Sequence, residues 1–90
     1  MKKAPDLDRA FAVIDARLDD AVAELASLVA IPSISAQPTH ALAGCAAAVR
    51  ISMERSGLSV RLLEEHGPPA VFGQRLVDPD LPTVLIYGHY

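Results

Sequence analysis

The residues with the clearest chemical potential lie at the carboxyl end of the chain. Gly88 and His89 follow an apolar, β-branched run at residues 83–87. Such a continuous apolar run is typical of a strand buried on both faces of a sheet. Because α/β proteins place their chemistry at the carboxyl ends of strands, His89 is a candidate metal ligand or general base. The pattern alone leaves open the alternative of a frayed terminal histidine without a role.

Other reactive side chains have simpler explanations. The cluster at residues 64–66 (Glu-Glu-His) precedes a Gly-Pro-Pro turn, which favours a solvated strand end over a metal site. Cys45 falls on an apolar helical stripe with no basic neighbour to form a thiolate, so it is predicted to pack in the core. Turn and capping roles are expected for Ser33 and Ser35. His40 follows the predicted N-cap of the second helix and is expected to be a solvated residue of its first turn.

Two helices are predicted upstream of these residues. The first has one apolar stripe, is capped by Asp6 or Asp8 and ends before Pro32. Its stripe recurs at three- and four-residue steps: Leu7, Phe11, Ile14, Leu18, Val22, Leu25 and Val29.

The second helix begins after Thr39, a predicted N-cap, and ends at Gly57. Gly57 suits the left-handed position after a helix, and Leu58 can then fold back onto Met53 in a Schellman-type stop. The apolar face of this helix is predicted to comprise Leu42, Cys45, Ala46, Val49 and Met53.

Beyond Gly57 the periodicity changes from helical to extended. Strands are predicted at residues 59–64, 70–77 and from 83 onward, with turns between them. The short first turn makes the first two strands an antiparallel pair. The sequence therefore predicts an α/β fold in which two N-terminal helices precede three strands of a mixed sheet.

Composition narrows the class of protein. The net charge of −3 gives no basic footprint and aromatic residues are scarce, so nucleic acid is not expected as a partner. The lone Cys45 suits a reducing cytosol, and neither a secretion signal nor a membrane span is predicted. A cytoplasmic protein is expected.

The chain resembles the M20 metallopeptidases, a family of co-catalytic zinc dipeptidases, aminoacylases and deacylases. Residues 82–90, Pro-Thr-Val-Leu-Ile-Tyr-Gly-His-Tyr, resemble the first metal-binding motif of that family. Three further segments resemble the family in the same order: residues 25–35 with an Ile-Pro-Ser turn, residues 57–64 and residues 69–73.

This resemblance implies that His89 binds one of two zinc ions, which the family uses to activate a bridging water. The Gly-His-Tyr form is typical of the dipeptidase-like branch. It implies hydrolysis of the amide bond of a dipeptide or an N-acyl amino acid. Residues 1–90 are then the N-terminal, incomplete part of a catalytic domain. No catalytic residue is expected in this segment, and the segment alone is expected to be inactive, without tight zinc binding.

The resemblance also implies a homodimer through a domain outside these residues. From a different class, the alternative is a small non-catalytic α/β module or a degenerate remnant. Such a module could bind a partner through an exposed sheet edge.

Overall fold

A computed structural model describes residues 6–34, 41–65 and 67–90 of the chain. Strands β1 and β2 form a two-stranded antiparallel sheet, and α3 packs against it. Within the described part of the chain, no helix is both long and apolar enough to cross a lipid bilayer. The elements in order are α1 (Leu7–Ala16), α2 (Leu18–Val29), α3 (Ala41–Arg55), β1 (Ser59–Leu63) and β2 (Ala70–Gln74).

The first predicted helix is interrupted at Arg17, so α1 and α2 are separate helices. The Asp6 side chain caps α1 by accepting a hydrogen bond from the Arg9 amide at 3.0 Å, which confirms one of the two predicted caps. Asp19 and Asp20 lie in the first turn of α2, where negative charge is favoured near a helix N-terminus. The end of α2 before Pro32 agrees with the prediction.

The carboxyl end of α3 has the Schellman geometry that the sequence predicts. The Leu58 amide donates to the Met53 carbonyl at 3.1 Å, and the Gly57 amide donates to the Glu54 carbonyl at 3.0 Å. Gly57 has φ 91°, a backbone conformation that side chains with a Cβ rarely adopt. The predicted N-cap, Thr39, lies outside the described residues.

The core lies where α3 meets the sheet. Cys45 and Ala46, on the predicted face of α3, are 2% and 0% exposed. Gly73 of β2 allows close approach, since a Cβ there would lie 3.2 Å from Met53 Sδ and 3.2 Å from Leu58 Cδ1. Small residues on both elements therefore bring α3 close to the sheet.

The hairpin pairs Ser59 with Gln74 at one end and Leu63 with Ala70 at the other. Side chains alternate between its two faces. Val60 and Leu62 are half-buried, whereas Arg61 on the opposite face lies over the Phe72 ring, 5.1 Å from its centroid. This antiparallel pairing was predicted, although both strands end earlier than expected.

The prediction of two helices followed by three strands of a mixed sheet is wrong. The described residues contain three helices and two strands, and residues 82–90 are neither helix nor strand. The apolar run there is largely solvent-exposed: Val84 is 81% exposed and Leu85 is 88% exposed. An apolar sequence forms a strand only when a neighbouring strand supplies hydrogen-bond partners, and no strand among the described residues pairs with this run.

Candidate functional site

His89, the predicted metal ligand, lies exposed on the irregular segment that follows β2. Its ring meets the Tyr87 ring edge-on, with 5.2 Å between centroids and 74° between planes. The Tyr87 hydroxyl lies 3.5 Å from His89 Nε2, at the outer limit of a hydrogen bond. The imidazole is therefore accessible and contacts Tyr87. His89 does not lie at the end of a paired strand, which the sequence had predicted.

Tyr90, the next residue, attaches this segment to the folded core. Its hydroxyl donates a hydrogen bond to the Pro69 carbonyl, just before β2. Burial raises the pKa of Tyr90 above its usual value, and the nearby charge of Cys45 adds to the rise. The neutral phenol is therefore favoured in the folded chain, and this is the form that can donate to Pro69.

A zinc site needs more ligands than these residues bring together. A catalytic zinc ion normally takes about three protein ligands. Across residues 6–34, 41–65 and 67–90, no group of three His, Cys, Asp or Glu side chains could hold a metal ion. The described residues do not by themselves form a metal centre, and His89 as a ligand stays a prediction.

The other sequence candidates are not brought together either. Cys45 is buried and unpaired among core atoms, as predicted. Glu64 and Glu65 are exposed at the end of β1, which agrees with the solvated strand end expected there. Three candidates, Ser35, His40 and His66, lie outside the described residues.

Sequence reasoning missed a groove between α2 and α3. Its volume is about 470 Å³, and its lining includes Leu28 and Ile51. Ser52 and Glu24 also line the groove. The Ser52 hydroxyl donates a hydrogen bond to Glu24 Oε1, which links α3 to α2 through residues 28 positions apart in sequence. Helical periodicity identifies faces within one helix, so it cannot predict which two faces meet across a connecting segment.

Comparison with known proteins gives one line of similarity. The chain is 31% identical over 96 aligned positions to the Cys-Gly metallodipeptidase dug1 of Schizosaccharomyces pombe (strain 972 / ATCC 24843). This chain is similar to a metallodipeptidase. The alignment covers 93% of the chain but 20% of the relative, so the chain spans about a fifth of the length of that protein. No protein-family model matches the chain, and no solved structure matches it.

Proposed function

We propose that residues 1–90 belong to the N-terminal part of the catalytic domain of an M20-type metallopeptidase. The observation that carries this proposal is the similarity to a metallodipeptidase over 93% of the chain. The order of motifs in the sequence supports it, because the Gly88-His89 pair comes last, after the Ile-Pro-Ser turn and the hairpin.

The proposed reaction is zinc-dependent hydrolysis of an amide bond. A dipeptide is the first candidate substrate, since the relative is named for Cys-Gly, and an N-acyl amino acid is the second. His89 would supply one zinc ligand, and the remaining ligands would come from polypeptide outside these residues. A homodimer formed through a further domain and a cytoplasmic location belong to the same proposal; the lone Cys45 supports the location.

The test uses the product of the complete reading frame that encodes these residues. We expect it to hydrolyse Cys-Gly, to lose activity with a chelator and to regain it with added zinc. His89→Ala should lower kcat/KM at least about a hundredfold, whereas His40→Ala, the same change at another histidine, should leave it within about twofold. Loss of a ligand weakens metal binding and activity together. Activity that resists the chelator, or that survives His89→Ala, would refute the proposal.

A partner-binding module without catalysis is the second candidate. The observation that favours it is the sheet of two strands, in which β1 and β2 each have one edge that no described strand covers. An added strand could bind either edge through main-chain hydrogen bonds. This candidate predicts no hydrolysis by the complete product under any metal condition, so the same assay separates the two.

A further inference from the structure

One hydrogen bond attaches the segment that carries His89 to the rest of the fold. Residues 82–90 are neither helix nor strand. Among the hydrogen bonds of the described residues, the one that joins this segment to another part of the chain runs from the Tyr90 hydroxyl to the Pro69 carbonyl. The Tyr87 hydroxyl, by contrast, lies near His89 within the same segment. Tyr90 is therefore the point at which the segment is held.

Burial marks the same side chain as the hydrogen bond. Tyr90 is half-buried, whereas each residue from 81 to 89 is exposed. The exposed fraction reaches 82% at Tyr87, two positions before His89. An exposed segment without backbone pairing opens at little cost in free energy, so its position depends on the few contacts that it makes.

The acceptor of this hydrogen bond belongs to the hairpin. Pro69 immediately precedes β2, whose first residue, Ala70, pairs with Leu63 of β1. The pyrrolidine ring of a proline fixes its φ, while its carbonyl can still accept a hydrogen bond. Because the hairpin packs on α3, the bond connects the segment to the sheet and, through the sheet, to that helix.

We propose that Tyr90 is a positioning residue, which holds the backbone at His89 beside the turn end of the hairpin so that the imidazole can bind metal. This rests on the proposed function, in which His89 supplies one zinc ligand. A neutral imidazole is a common zinc ligand and the His89 ring is exposed, so this donor fits the ion. Loss of a group that orients a metal ligand commonly weakens metal binding by about ten- to a hundredfold.

The hydroxyl of Tyr90 can be tested separately from its ring. Tyr90→Phe keeps the half-buried ring and removes the hydrogen bond to Pro69. Ser56→Ala is the matched control, because the Ser56 hydroxyl also donates to a backbone carbonyl, that of Ser52 at 3.0 Å. Ser56 lies between α3 and β1, at the end of the hairpin opposite to Pro69.

The first test measures zinc affinity of the product of the complete reading frame by competition with a chromophoric chelator. His89→Ala identifies the zinc site that depends on this ligand. At that site we expect Tyr90→Phe to weaken zinc binding at least about tenfold and Ser56→Ala to leave the dissociation constant within about twofold. Thermal unfolding of the metal-free variants shows whether each is folded at the assay temperature.

The second test separates positioning from a general loss of stability. At limiting zinc, Tyr90→Phe should hydrolyse Cys-Gly more slowly than the unchanged product, and excess zinc should restore kcat. The KM should stay unchanged, because the hydroxyl is proposed to act through the metal ligand and not on the substrate. Ser56→Ala should need no more zinc than the unchanged product does. If excess zinc leaves kcat of Tyr90→Phe low, the positioning role is wrong.

The third test changes the acceptor side of the bond. Pro69→Ala keeps the carbonyl but removes the ring that fixes its φ, so it should weaken zinc binding by less than Tyr90→Phe does. The double variant should bind zinc no more weakly than Tyr90→Phe alone, since both changes act on one bond. Additive losses would overturn the proposal. If Tyr90→Phe does not fold, Pro69→Ala carries the test, and unchanged zinc affinity in that variant overturns it.

The outcomes distinguish this proposal from the proposed function. If the unchanged product neither binds zinc nor hydrolyses Cys-Gly, the proposed function fails and the positioning role fails with it. If His89→Ala weakens zinc binding and Tyr90→Phe does not, the positioning role alone is overturned. If Tyr87→Phe weakens zinc binding and Tyr90→Phe does not, the neighbouring hydroxyl orients the imidazole and the attachment to Pro69 has no such role.

Discussion

At the scale of single residues, the two neighbours His89 and Tyr90 have opposite environments. The imidazole of His89 is exposed, whereas the phenol of Tyr90 reaches the Pro69 carbonyl and is partly buried. The attachment of Tyr90 therefore determines where the accessible His89 lies relative to the hairpin. The difference in exposure between His89 and Tyr90 was not predicted, because the sequence pattern places both residues at the end of the same strand.

The titration of Tyr90 tests this attachment. In a Tyr87→Phe background, Tyr90 is the remaining tyrosine, and its phenolate absorbance should appear at higher pH in the folded chain than in urea. Its pKa is raised from 10.0 by burial first and by the charge of Cys45 second. The unfolded chain then loses the proton first, so the stabilisation is fully present below about pH 10 and is lost as pH rises through the folded pKa.

Cys45→Ser is the control for that titration, because it removes the smaller of the two causes and should lower the folded midpoint only in part. Equal midpoints in the folded and denatured chain would show that Tyr90 is not attached as described.

Two adjacent alanines test the packing of α3. Ala46 is fully buried, so Ala46→Leu should lower the free energy of unfolding by about 1–3 kcal/mol through overpacking. Ala47 is exposed on the same helix, and Ala47→Leu should change it by less than about 0.5 kcal/mol. Urea denaturation measures both values. Equal effects at the two positions would contradict the packing of this face of α3 against the sheet.

At the scale of elements, local chemistry explains where α3 ends and the hairpin begins. The reversal depends on Gly57, whose positive φ lets two amides return to carbonyls in the last turn of α3. The chain then enters β1 directly, with Leu58 placed against β2 at Gly73. A single backbone position therefore links the helix to the sheet it packs on.

The same substitution at two glycines should have opposite effects. Gly57→Ala should lower the free energy of unfolding by about 1–2 kcal/mol, because alanine resists a left-handed backbone. Gly44 lies within α3, where an added Cβ would meet no atom within 4 Å, so Gly44→Ala should raise the free energy of unfolding by roughly 1 kcal/mol through helix propensity. Thermal or urea unfolding of the two variants gives the comparison. A stabilising Gly57→Ala would contradict the Schellman geometry.

At the scale of the whole molecule, the buried core is small for the apolar content. Hydrophobic residues form 51% of the sequence, yet among the described residues the buried ones are Cys45 and Ala46. The described chain is also elongated, with extents of 54 × 32 × 19 Å. A two-stranded hairpin needs packing by a further element to be stable, and α3 supplies it. Two apolar surfaces, the apolar stripe along α1 and α2 and residues 84–87, are exposed.

The exposure of residues 84–87 leads to a solubility prediction. Ile86 is 88% exposed, so Ile86→Lys should change the free energy of unfolding by less than about 0.5 kcal/mol. The same variant should bind less of an apolar fluorescent dye, because the exposed apolar patch is smaller. Leu62→Lys is the contrast: it puts a charge on the half-buried face of β1 and should unfold the chain. A large loss of stability for Ile86→Lys would show that residues 84–87 pack against the fold.

The sequence by itself determined the features that depend on neighbours along the chain. The Asp6 cap, the Gly57 stop, the buried face around Cys45 and the hairpin could be predicted, because capping, left-handed glycine and periodicity are local properties. The prediction of His89 as a metal ligand likewise came from its motif, which is a local property of the sequence.

Only the tertiary structure decided the features that depend on distant partners. The apolar run after β2 pairs with no strand in the described part of the chain. Strand formation requires hydrogen bonds from another segment, and the periodicity of a sequence does not show whether that segment is in place. The contacts of Tyr90 with Pro69 and of Ser52 with Glu24 join residues 21 and 28 positions apart, and their formation depends on how the elements meet in space.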